Sequence, residues 1–282
     1  MLKKALISVI NLLLYGHFWI AAGALLMTMQ TSLLLEKDWY WTALDGFIAS
    51  GTLSIYALHR LVALGLMQGD KQARFLMIFH HRKSVLLYAI ISTAAAAYFF
   101  FQLSFLLQYT LLTPSVIALG YVVPLLNGKR LRDLPFLKIF LIAIAWAWIT
   151  VIAPSKYVEI DALQLALLFI ERACFVFAIT IPFDIRDLLM DKKAAVPTLP
   201  GRWGVGKAKS MAYVALLIMM TSVFVNTYLD LYDIKIAIAL FISAFSSAYF
   251  VSLAHENRHD YFYSGLMDGT MIVQFFLVWM VK

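Results

Sequence analysis

From Ala162 to Asp191 the chain reads ALQLALLFIERACFVFAITIPFDIRDLLMD, an apolar run that ends in three carboxylates. The stretch 162–183 has the length, about 20 residues, that a helix needs to cross the hydrocarbon core of a bilayer, so it predicts a transmembrane helix. Beyond it, Asp184, Asp187 and Asp191 are spaced i, i+3 and i+7. At about 100° per residue, that spacing puts all three within roughly 60° on one helical face. Three like charges there repel unless a cation sits among them. Hard oxygen ligands of this kind suit Mg²⁺ shared with phosphate oxygens. A solvated acidic face paired with Arg186, Lys192 and Lys193 meets the same spacing.

The rest of the chain resembles this run. Of its 282 residues 63% are hydrophobic and 14% charged, and the mean hydropathy is +0.83, outside the range of a soluble domain. Nine segments reach or approach spanning length: 5–35, 40–68, 84–101, 103–127, 136–154, 162–183, 210–229, 234–253 and 262–281. The expectation is an all-α polytopic membrane bundle of about nine transmembrane helices, a single transmembrane helical domain over 1–282. MLKKALISVI opens like a signal peptide, but the apolar stretch runs on to Leu35 without a small-residue cleavage site, so it reads as the first span.

Lys37, Lys156, Lys235 and Lys282 fall on one side of this topology and nearly all other Lys and Arg on the opposite side. That second side is therefore cytoplasmic. It holds the N-terminus and the two longest connections, about 69–83 and 184–209, with the C-terminus opposite. The net charge of +7 comes from these scattered loops rather than from a basic stripe, which argues against nucleic acid. Cys174, the one cysteine, excludes an intrachain disulfide framework.

After the carboxylates comes VPTLPGRWGVGK, Val196–Lys207, a Gly/Pro-rich basic loop that reads as a lid over a ligand. Its GRWGVGK fits the first seven positions of a phosphate-binding Walker loop, but Ala208 replaces the Ser or Thr that would bind Mg²⁺, and no buried strand precedes it. His255 and His259 stand four apart in the connector HENRHD and read as a solvated loop. Glu171 and Arg172 lie inside a span, where each needs a partner on another helix.

DIRDLLMD over Asp184–Asp191, followed by Thr198-Leu199-Pro200, resembles the second aspartate-rich motif of the UbiA superfamily of intramembrane prenyltransferases. YVVP at Tyr121–Pro124, GKRLRD at Gly128–Asp133 and YFYSGLMDG at Tyr261–Gly269 are similar to that family as well. The resemblance implies a helical bundle that transfers an isoprenyl group from an isoprenyl diphosphate to a lipophilic acceptor in the presence of membrane lipid. It also implies Mg²⁺ as cofactor, with Asp184, Asp187 and Asp191 as catalytic and metal-binding residues. A membrane terpene cyclase of the same superfamily, or a non-catalytic isoprenoid-binding protein, are the alternatives.

The family's first aspartate motif should fall within SIYALHRLVALGLM, Ser54–Met67. If His59-Arg60 takes the place of its Asp-Arg pair, Ile55 stands at the Asn position and Ala63 at the second Asp position. A guanidinium can clamp phosphate oxygens without metal, so Arg60 heads the candidates for the diphosphate, with His59, Tyr56, Lys129, Arg186 and Asp268. Asp70 is a possible replacement carboxylate, and Lys71, Arg74, Arg82 and Lys83 are further loop cations.

Overall fold

The computed structural model describes residues 2–35, 40–66, 82–123, 130–193 and 196–282. Apolar sequence in lipid has to satisfy its backbone internally, and helices do so within one segment. The chain accordingly forms α1 (Leu2–Tyr15), α2 (Phe18–Leu35), α3 (Ala43–Leu66), α4 (Arg82–Gln102), α5 (Phe105–Val122) and α6 (Leu137–Ala147). There follow α7 (Ala162–Arg186), the short α8 (Leu188–Lys193) and α9 (Leu199–Trp203), then α10 (Val205–Tyr228), α11 (Ile234–Leu253) and α12 (Asp268–Val281). A π turn, Trp148–Ile152, and a 3₁₀ turn, Pro154–Tyr157, extend α6, and another π turn, Phe262–Met267, leads into α12.

Eight of the described passages are long and apolar enough to cross a membrane. The expected span 40–68 corresponds to α3, which has the length, 24 residues, but is diluted by Asp45, His59 and Arg60. It opens on a local cap, with the Thr42 amide and hydroxyl donating to Asp45 Oδ2 at 2.8 and 2.7 Å. Asp161 caps α7 in the same way, accepting from Leu163 N at 2.8 Å.

The first span, expected to be continuous over 5–35, is two helices. A Cβ on Gly16 would lie 2.3 Å from Leu12 O, and His17 turns left-handed at φ +66°. The chain thus breaks at Gly16-His17 and restarts as α2. A second left-handed residue, Phe136 at φ +62°, precedes α6.

α2 packs on α3 and on α12; from α12 the contacts run through α11, α10, α7 and α6 to α5, which meets α3 again. α4 lies outside α3. The outer surface exposes large apolar side chains such as Phe101, Phe105, Val116, Phe224, Phe245 and Met280, as a lipid-facing surface should. The interior holds two apolar clusters, one around Phe175, Ile179 and Met267 and a smaller one around Leu168, Val223 and Leu240. Glu171 and Arg172 are fully buried and find their partners on other elements: Arg172 donates to Met27 O at 2.8 Å and Thr31 Oγ1 at 3.3 Å on α2, and Tyr232 OH donates to Glu171 at 2.9 Å.

Candidate active site

A cavity of about 380 Å³ opens inside this ring at the end where α3 and α7 finish and α6 begins. Its deep part is apolar and aromatic, with Ile55, Leu141, Ile142, Trp146, Val176 and Ile179. Its mouth is ionic. α3 brings Tyr56, His59 and Arg60, α6 brings Lys138, and the α7–α8 junction brings Asp184, Arg186, Asp187 and Asp191. The π turn before α12 swings Ser264 and Asp268 to the same lining, a frequent use of such turns at functional sites.

Two arginines are aimed by histidines. Arg132 Nη1 hydrogen-bonds His59 Nε2, and Arg60 Nε donates to His17 Nε2 at 3.4 Å. A guanidinium has donors only, so each Nε2 is an acceptor and both rings sit here as neutral tautomers. The Arg132 guanidinium also lies 5.1 Å over the Tyr121 ring, within cation–π range. The strained backbone of His17 thus has an observable role: it carries the imidazole that meets Arg60. Arg130, also in the lining, is occupied by a two-point pair with Asp133, Nε to Oδ2 and Nη2 to Oδ1 both at 2.9 Å. Burial would raise the Asp133 carboxyl, but these bonds from Arg130 outweigh it and hold the group below its usual range.

The three aspartates do not act as one face. The helix breaks between Arg186 and Leu188 with Asp187 at the joint. Asp184 and Asp191 converge on one ammonium: Lys138 Nζ is 2.8 Å from Asp184 Oδ1 and 3.3 Å from Asp191 Oδ2. Asp187 turns to Arg186 instead, in a fork of two 2.9 Å bonds. Arg186 also reaches Asp260 at 3.7 Å and lies over Phe183 and Tyr263 at 5.1 and 5.4 Å. Burial, with Asp184 and Asp187 adding to it, raises the Asp191 carboxyl above its usual range despite the opposing Lys138 ammonium.

These residues do not fit a metal shared between two aspartate motifs. Such an ion needs carboxylates from both walls, and among the described residues the α3 wall offers Tyr56, His59 and Arg60. On the other wall the point between Asp184 and Asp191 is filled by Lys138, and Asp184 Oδ1, although 2.8 Å from that ammonium, makes no hydrogen bond of good geometry. Among the described residues no group of three or more His, Cys, Asp or Glu side chains converges to hold a metal ion.

Of the residues expected at the site, Tyr56, His59, Arg60, Arg186, Asp268 and the three aspartates all line the cavity. Lys129, Asp70, Lys71 and Arg74 lie outside the described residues, and Arg82 and Lys83 are exposed at the start of α4. Val196–Lys207, expected as a lid, is mostly helix: α9, then Gly204 at φ +85°, then α10. Its Trp203 stacks on Phe136 at 5.1 Å. Sequence reasoning missed Lys138, Arg132 and His17. The signal for Lys138 was there, a lone cation inside the apolar segment 136–154, to which the partner rule used for Arg172 applies equally.

No protein-family model and no curated protein matches the sequence, whereas solved structures match its fold. A UbiA homologue from Archaeoglobus fulgidus bound to GPP and Mg²⁺ superposes with a TM-score of 0.67 at 14% identity, over 95% of this chain and 99% of that one. A UbiA homologue from Aeropyrum pernix K1 gives 0.61 at 11% identity, over 95% of each chain. A digeranylgeranylglyceryl phosphate synthase gives 0.59 at 11% identity, over 97% and 96%. At these identities the likeness is one of fold, and the chain has the UbiA fold over nearly its whole length.

Proposed function

We propose that this chain binds an isoprenyl diphosphate in the α3–α6–α7 cavity and transfers the isoprenyl group to a lipophilic acceptor. The observation that carries the reading is the polarity of that cavity, an apolar aromatic depth under a mouth where Arg60, Arg132 and Lys138 converge. An amphiphile with a polyanionic head and a hydrocarbon tail matches it from end to end. The Archaeoglobus neighbours bound to GPP or DMAPP with Mg²⁺ support the class of ligand. The excess of Lys and Arg in the loops at this end supports a cytoplasmic mouth.

The chemistry follows from the lining. The allylic C–O bond breaks and its electron pair leaves with the diphosphate, whose growing negative charge meets guanidiniums already fixed by His17, His59 and Tyr121. Donors pointed in advance at developing charge in a low-dielectric site are the largest common source of rate enhancement. The allylic cation left behind faces the rings of Tyr56, Trp146 and Phe183, which stabilise positive charge through their π-faces. A nucleophilic atom of the acceptor forms the new C–C or C–O bond, and the proton it loses passes to an oxygen of the departing diphosphate. No step is assigned to a metal, because the described residues do not fit one.

The test is diphosphate release from protein in nanodiscs supplied with geranyl to geranylgeranyl diphosphates, with and without a quinone-like or phenolic acceptor. Arg132→Ala should lower the rate about 100-fold or more, the usual cost of removing one transition-state donor. Full release in that variant would overturn the role of the cationic mouth. Binding without release under any acceptor would overturn transfer and leave an isoprenoid-binding protein on this fold.

A further inference from the structure

We infer that the Lys138 ammonium is a built-in replacement for the divalent cation, so that this chain binds a diphosphate lipid without metal. The inference rests on the proposed ligand class and deepens it. Asp184 and Asp191 belong to different helices and point at one spot, the arrangement that would hold one hard cation between two carboxylates. That spot is filled from a third helix, α6, by Lys138 Nζ at 2.8 and 3.3 Å. All three side chains are sequestered, Lys138 and Asp191 being 11% exposed and Asp184 2%.

The root of Lys138 is fixed rather than free to swing. Two residues earlier Phe136 takes a left-handed conformation, donates its amide to Pro197 O at 3.1 Å and stacks on Trp203. The first turn of α6 is therefore clamped to the segment that follows α8. Leaving Asp184 and Asp191 without the ammonium would strand two buried carboxylates beside each other, a costly state.

The facing wall changes in the same sense. A metal shared by two motifs requires carboxylates on α3, and this sequence supplies Ile55, His59-Arg60 and Ala63. In their place stand Arg60, held by His17, and His59, whose neutral imidazole holds Arg132 from the connection before α6. One wall thus has a cation where an ion would sit, and the other has cations where its ligands would be. Both changes remove the need for an external ion at a phosphate head. A lysine serves such a head as a point charge and an arginine as a fork.

The measurement is equilibrium binding of an unreactive geranylgeranyl thiolodiphosphate to the full chain in nanodiscs, in EDTA and in millimolar Mg²⁺. The wild type should bind equally in both, to within about threefold. Lys138→Met should bind at least about tenfold more weakly in EDTA and regain affinity with Mg²⁺, because its two freed carboxylates form a metal site. Lys138→Arg should keep metal independence. Wild-type binding that needs Mg²⁺ would overturn the inference and leave the proposed ligand standing, whereas no binding in either condition would overturn both. Should Lys138→Met fail to fold, the wild-type comparison still decides.

Discussion

Asp191 shows how one residue reports on the whole site. Burial and two neighbouring carboxylates raise it above the ordinary carboxylate value of 3.8, Lys138 opposing. Its folded-state value exceeds its unfolded one, so its contribution to stability is fully present below the unfolded value and is lost as pH rises through the folded value. Asp191→Asn removes that dependence. The melting temperature of the variant, measured against wild type without ligand, should improve steadily as pH climbs from below 3.8 through the raised value. A difference that stays flat or reverses would show that Lys138 already compensates the charge in full. The carboxylates were legible in sequence because their spacing is a local property. Their division of labour was not, because it depends on Lys138, more than 40 residues away, and on a helix break at Asp187 that helical periodicity does not mark.

At the scale of the element, the apolar runs located the long helices well, from α4 to α7 and from α10 to α12. What they did not show was where a run changes direction. The 5–35 run breaks at His17 through a left-handed residue that hydropathy does not register. The expected lid became α9 and α10 because Gly204 takes a φ that only glycine adopts freely, so the glycine ends one helix and starts the next rather than loosening a loop. His17 can be separated into backbone and side chain by two substitutions. His17→Gly should be more stable than His17→Ala by about 1–2 kcal/mol, the usual penalty for a left-handed residue with a Cβ. Both should weaken diphosphate-lipid binding alike, since both remove the acceptor of Arg60. Equal stabilities would mean that the break does not depend on the φ of residue 17.

For the whole molecule, the ring of helices separates two polar centres, an ionic mouth at one end and the buried Glu171–Arg172 group beyond the cavity. Sequence predicted that both charges would find partners on other helices; α2 supplies those of Arg172, whereas Tyr232, in the turn between α10 and α11, supplies that of Glu171. Arg172→Leu should lower unfolding stability by about 1–3 kcal/mol, because it takes the buried guanidinium away from Met27 O and Thr31 Oγ1 and its field away from the neighbouring Glu171. Replacing Glu171 and Arg172 together should cost less than Arg172→Leu alone. Thermal unfolding in one detergent checks both, and a double variant weaker than the single one would show that the pair does more than balance charge. The overall fold was open to sequence reasoning because lipid permits so few backbone solutions. The identity of the cavity's counter-charges was not, because residues 17, 59, 60, 132 and 138 meet only once the ring has closed.

The tether on Lys138 bears on how a catalytic cycle would end. An ion bound with its substrate leaves with the diphosphate as a complex and has to be taken up again from solution. A side-chain ammonium stays behind, so the leaving group departs bare and the pocket is recharged at once. Dissolved Mg²⁺ would then act only downstream, capturing free diphosphate in solution and so relieving product inhibition without ever entering the protein.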